Sequence, residues 1–139
     1  MSTKFRTRHP SITFSDFHFK ANSTDLCDSV SYLQTKISAD SLLSVFKQTL
    51  DNNPQILKLG IYGYADILEK SPQKLSEDRA NIIMQKLIQR GIAAARLQTK
   101  GFGSSQLLVR ENIIKSETDK NKQESLRQLN RRVSLQVNQ

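Results

Sequence analysis

The chain has 139 residues, of which 37% are hydrophobic and 24% charged, and a formal net charge of +8. That length buries an ordinary single-domain core without metal or disulfide stapling, and the only cysteine, Cys27, has no internal partner to pair with. No stretch approaches the roughly 20 apolar residues of a membrane span.

Met1 to Pro10 is polar and basic and lacks the apolar core of a signal peptide, so any export signal is expected to be encoded elsewhere. Residues 1–11 read as the end of a linker and 12–139 as one domain. Ile12 and Phe14 alternate, then Phe17 and Phe19 on the opposite parity, which predicts a first strand, central in a sheet, with a bulge near Asp16. Asn22 to Lys36 mixes Leu26, Val30, Tyr32 and Leu33 with polar residues and reads as an insertion with a short helix. A firmer helix spans Ser41 to Leu50, its face formed by Leu42, Leu43, Phe46 and Leu50 and its stop by Asn52, Asn53 and Pro54.

From Ile56 to Tyr62 the chain alternates, with Leu57, Leu59 and Ile61 on one side, the period of a strand with unlike faces. Gly63 turns the chain, and Gly63-Tyr64-Ala65-Asp66 leaves an acid at the strand end. Ala80, Ile83, Met84, Leu87 and Ile88 then follow helical spacing, with Ser76 predicted as N-cap and Gly91 as the stop. Arg79 is thereby placed on the opening turn of this helix, near free backbone amides. Ala94 to Phe102 supplies a third strand that turns at Gly101-Phe102-Gly103. Ser104 to Leu129 holds a polar loop and a short helix, and Arg132 to Val137 the last strand. The core is expected to gather Phe46, Leu50, Leu57, Leu59, Ile61, Ile83, Leu87, Val133, Leu135 and Val137.

One carboxylate, one guanidinium and free helix amides suit a zwitterionic, amino-acid-like ligand: its ammonium meets Asp66 and its carboxylate meets Arg79. The plain alternative is an internal Asp66–Arg79 salt bridge, worth only ~0–1 kcal/mol at a surface. Other chemistries find little support. His9 and His18 have no Cys or second acid at ligand spacing, no serine sits in a nucleophile elbow, and Gly101-Phe102-Gly103 lacks the remainder of a nucleotide fingerprint. No metal, cofactor or catalytic residue is therefore expected. The seven Lys or Arg from Arg110 to Arg132 are interrupted by Glu111, Glu117, Asp119 and Glu124 with no interleaved aromatic, which argues against nucleic acid.

The run Leu59 to Arg79, with Gly91-Ile92, Arg96-Leu97, Gly101-Phe102-Gly103 and Asn130-Arg131-Arg132-Val133, resembles the OmpA-like C-terminal domain, the peptidoglycan-binding module also found in Pal lipoproteins and MotB-type stators. The family's Gly-His-Thr-Asp or Gly-His-Ala-Asp segment reads here Gly63-Tyr64-Ala65-Asp66, and its Leu-Ser-x-x-Arg-Ala opening reads Leu75-Ser76-Glu77-Asp78-Arg79-Ala80. The resemblance implies a two-layer α/β sandwich, ordered strand, helix, strand, helix, strand, strand, with both main helices on one face of a mixed sheet. It implies a periplasmic domain, held in the envelope by other parts of a longer protein, that binds the diaminopimelate of the peptidoglycan stem.

Carried over by position, the diaminopimelate site comprises Asp66 for the ammonium, Arg79 for the carboxylate, and Ala65, Asn22, Asn130 and Arg131 alongside. Arg131 is preferred to Arg132 because by strand parity it shares the face of Val133, Leu135 and Val137. Three departures accompany the matches. Glu69 and Pro72 stand where the family carries glycine and asparagine, the Asp66-to-Arg79 segment is about two residues shorter than usual, and Lys20 replaces a common acid. A Lys20 that reached Asp66 would fill the crevice with an internal cation. The departures leave one alternative function: a divergent OmpA-like domain that has lost wall binding and acts as a protein-docking module in an envelope, motility or secretion complex.

Overall fold

The computed structural model describes residues 15–27, 29–30, 35–36 and 38–138. The expected linker, residues 1–11, and the apolar pair Ile12 and Phe14 lie outside them. Among the described residues the elements run β1 (Phe17–His18), β2 (Ser29–Val30), β3 (Thr35–Lys36), α1 (Ala39–Asn52), β4 (Lys58–Gly63), α2 (Pro72–Gln89), a 3-10 turn (Ala94–Arg96), β5 (Leu97–Gly101), α3 (Glu111–Ser116), α4 (Lys120–Asn130) and β6 (Arg132–Asn138).

Four strands form a mixed sheet in the order β1-β6-β4-β5. β4 and β5 run parallel, joined through α2, while β6 is antiparallel to both β4 and β1. Helix α1 contributes Leu43, Phe46 and Leu50 and helix α2 contributes Ala80, Ile83 and Leu87 to one core with Phe17, Phe19, Leu59, Ile61, Leu97, Val133 and Leu135. This is the mixed-sheet, two-layer α/β arrangement expected.

Several local expectations need correction. β1 lies at the sheet edge rather than at its centre: the number of apolar residues in a strand reflects burial, and Phe17 is 1% exposed through contact with Phe46 of α1 and pairing with β6 on one side only. In the segment Asn22 to Lys36, read as holding a short helix, the described residues contribute an antiparallel pair, β2 with β3, and residues 28 and 31–34 lie outside the description. Leu57, assigned to the core, is 71% exposed, and Ile56 takes the buried position at 0%. The alternation does not extend so far back, because β4 begins only at Lys58. Arg96 fixes this entry, donating from its guanidinium to the carbonyls of Ile56, Leu50 and Asn53 and so tying the end of α1 to the start of β4.

Helix α2 starts one turn earlier than expected. Pro72 opens it in the first helical position, where a missing N–H costs nothing, and Ser71 precedes it in the left-handed region at φ 47°. Ser76 is therefore inside the helix. Its hydroxyl donates to the Gln73 carbonyl at 2.8 Å and accepts from the Gly103 amide at 2.9 Å, stapling the helix to the turn after β5. Gly91, at φ 99°, ends the helix as predicted. At the other end, the bare Cα atoms of Gly63 and Gly101 let the strand ends come directly against the backbone of α2: a Cβ at Gly63 would lie 1.9 Å from the Ser76 carbonyl oxygen.

Candidate functional site

The close approach of β4 to α2 sets Asp66, three residues beyond the strand, beside Arg79, which lies in the third turn of the helix rather than the first. The amides expected to stand open at the helix start are engaged at Leu75, whose N–H donates to Ser71 O at 2.9 Å. Arg79 is wholly buried. Its guanidinium lies 5.3 Å from the centroid of the Phe19 ring.

The partner of Arg79 is Glu69, not Asp66. NH1 and NH2 of Arg79 donate to the two carboxylate oxygens of Glu69 at 2.7 and 2.5 Å, a two-pronged pairing. The remaining N–H groups go to backbone: Nε to Ser23 O, NH1 to Tyr64 O and NH2 to Lys20 O, at 3.0, 3.1 and 3.2 Å. A guanidinium has five N–H donors, and all five are used.

Glu69 is saturated in turn. Oε1 also accepts from the Asp66 amide at 2.9 Å and Oε2 from the Asn22 amide at 2.8 Å, so two oxygens receive four donors. Burial alone would push the Glu69 carboxyl up. Its bonds from Arg79 and from the two amides, together with the Arg79 charge, reverse that and hold it below the usual carboxylate range.

Asp66, 1% exposed, receives three donors. Asn130 Nδ2 donates to Oδ1 at 2.9 Å, while Arg127 NH1 and the Leu68 amide donate to Oδ2 at 3.0 and 3.2 Å. Arg127 is itself held in a two-pronged pair by Glu111 at 2.7 and 3.0 Å. Asn130 is pinned by the Val109 backbone on both sides of its amide, at 2.8 and 2.9 Å.

Of the residues singled out from the sequence, Asp66, Arg79 and Asn130 thus meet at one rim, and Ala65 lies there fully buried with its amide on Gly103 O. Asn22 joins through its backbone, and its side-chain oxygen accepts from the Lys70 amide, clasping the Glu69 loop from outside. Arg131 sits elsewhere. The strand begins at Arg132, so the parity argument does not reach Arg131, which ends α4 and turns its guanidinium to Phe19 O and the Glu124 carboxylate. Arg132 lies over the Tyr64 ring at 3.8 Å, and Tyr64 stacks on Phe102. Lys20 meets Arg79 through its carbonyl, and the side chain on Asp66 is that of Arg127.

Two participants, Glu69 and Arg127, were not assigned to the site from the sequence. Each left a signal. Glu69 follows Asp66 by three residues, the span of a single turn, closed here by the Glu69 amide on Asp66 O at 3.1 Å. Arg127 precedes Asn130 by three residues on α4 and so shares its face.

The OmpA family matches residues 19–124. Among solved structures, the peptidoglycan-associated lipoprotein of Burkholderia pseudomallei shares 22% identity at a TM-score of 0.64, over 86% of each chain. The C-terminal domain of Helicobacter pylori MotB shares 20% identity at a TM-score of 0.66, over 91% of this chain and 86% of that one. The OmpA-like domain of FopA1 from Francisella tularensis subsp. tularensis SCHU S4 shares 20% identity at 0.63, over 86% and 68%. Against a longer periplasmic fragment of H. pylori MotB, this chain spans 62% of the other's length. A search of curated proteins finds no match.

Proposed function

The chain belongs to the OmpA family, and from that premise we propose that it is a non-catalytic, periplasmic domain that ties a larger envelope protein to peptidoglycan. The proposed ligand is the diaminopimelate end of a stem peptide, whose ammonium goes to Asp66 and whose carboxylate goes to Arg79. The observation that carries this reading is the chemistry of the groups now held at the rim. A carboxylate, that of Glu69, sits two-pronged on Arg79, and a cation, that of Arg127, sits on Asp66. A free ammonium and carboxylate on one carbon present the same two charges in one small group.

The likeness to a peptidoglycan-associated lipoprotein supports the envelope setting. Among the described residues no helix is long and apolar enough to cross a membrane. The experiment is co-sedimentation with purified sacculi, comparing diaminopimelate-type with lysine-type wall and native domain with Asp66→Asn. Retention on the first wall only, lost in the variant, is the expected result. Equal recovery in the pellet for both walls and both proteins would overturn the reading.

A second reading is favoured by a specific observation. All five donors of Arg79 are engaged, while the loop that engages them turns Ile67 and Leu68 outward at 47% and 64% exposure. A domain that had exchanged wall binding for docking an envelope protein would have this appearance. The sedimentation assay separates the two.

A further inference from the structure

We propose that Glu69 and Arg127 are internal ligands of the zwitterion site, so that the domain rests closed and a stem peptide binds by displacing them. This rests on the peptidoglycan reading for the identity of the ligand, but not for the closure itself. Arg79 has no N–H to spare, so it cannot take a carboxylate while Glu69 stays, and the charge of the 1%-exposed Asp66 is already met by the Arg127 guanidinium, with which an incoming ammonium must compete.

The two internal ligands differ in how they would leave. Arg127 gives Asp66 a single bond and keeps both of its bonds to Glu111 when that one is lost. An incoming ammonium therefore strands no charge there. Glu69 gives up four bonds, yet it is the sole buried side chain of residues 67–71; Ile67, Leu68, Lys70 and Ser71 are all exposed. Its loop is held from below by that carboxylate and from outside by Asn22 on the Lys70 amide. It can move outward without unpacking the core, leaving Arg79 with one N–H free on each terminal nitrogen, the two-pronged set a carboxylate ligand needs. Because the displaced carboxylate is tethered, it competes at the high effective concentration of an intramolecular group.

Glu69 is therefore the residue that sets affinity, and removing its carboxylate should tighten binding rather than weaken it. The test uses the whole domain, native and Glu69→Ala, with two probes: a diaminopimelate-containing muropeptide followed by amide shifts around Asp66 and Arg79, and acetate followed by thermal unfolding. Glu69→Ala should bind the muropeptide at least about tenfold more tightly, and acetate should raise its unfolding temperature but leave that of native protein unchanged. If Glu69→Ala fails to fold, Glu69→Asp, one methylene too short for the same reach, is measured instead.

Equal muropeptide affinity in native and variant would overturn the closure while leaving wall binding intact. Rescue by acetate with no muropeptide bound by either protein would sustain the closure and remove diaminopimelate as the ligand. Acetate without effect on the variant would show that Arg79 does not accept an external carboxylate, and the proposal would fall.

Discussion

Gly63→Ala tests the contact on which the position of the whole site depends. The added Cβ would meet the Ser76 carbonyl oxygen at 1.9 Å, its carbon at 2.8 Å and the Ala80 nitrogen at 3.3 Å, all backbone atoms of α2. A carbon approaches a carbonyl oxygen no closer than about 3.3 Å without repulsion, so helix and strand must separate by roughly 1.4 Å. A gap of that size forfeits at least half of the dispersion well for the atoms on either side of it. On α2 those atoms include Ala80, Ile83 and Leu87, none of them measurably exposed. Ordinary overpacking costs about 1–3 kcal/mol when side chains can adjust; here only backbone can move, and a loss of at least about 3 kcal/mol is expected. Urea denaturation followed by circular dichroism measures it, with the slope against denaturant as a check that the unfolded states compare. The same displacement carries Arg79 away from Tyr64 O, so the amide spectrum around residues 63–66 should shift as well. A variant within about 0.5 kcal/mol of native would mean that β4 and α2 are not in this contact, and the geometry built on it would fail.

Two further outcomes follow from particular residues. His18 is 8% exposed, and its pKa is lowered from 6.5 to about 4, first by burial and then by the charges of Arg132 and Arg131. Since the folded value lies below the unfolded one, its contribution is intact above pH 6.5 and is lost as the pH falls towards 4, by about 3 kcal/mol; urea melts at pH 7, 5 and 4 should show this slope, reduced in His18→Gln, and superimposable profiles would refute it. Ile56→Ala should cost about 2–5 kcal/mol and Leu57→Ala less than about 0.5, measured by thermal unfolding; a reversed order would return Leu57 to the core.

Periodicity carried the reading of the core as far as it carries information. Leu59 and Ile61, Ile83 and Leu87, and Val133 and Leu135 are buried as their spacing requires. What alternation lacks is a starting point, so Leu57 was counted into a strand that begins one residue later. In the same way, four apolar residues before Lys20 marked a buried strand but could not say how many neighbours it has. At the site, Asp66 with Asn130 was legible, because both belong to motifs recognised in order along the chain. The pairing of Arg79 with Glu69 was not, although position 69 stood out as a departure. Its direction is decided by a three-residue turn that folds Glu69 back beneath Asp66, and a turn of that kind depends on backbone geometry, not on residue type alone. Arg131 is misplaced for a related reason: parity is defined only within a strand, and Arg131 is the C-cap of the helix before it.

The place of β6 between β1 and β4 governs when this domain can fold at all. The unit β4-α2-β5 is contiguous in sequence, but among the described residues the sheet partner of β1 is β6, more than a hundred residues away along the chain, while its other side meets only the nearby Leu26 and Cys27. Until β6 docks, β4 is an open edge carrying Leu59 and Ile61, the kind of surface on which strands from other molecules pair. Closure of so distant a contact is slow compared with local helix formation. Arg127 and Asn130 lie on the helix that leads directly into that strand, so a chain synthesised only as far as β5 has both an incomplete sheet and an Asp66 without its side-chain partners.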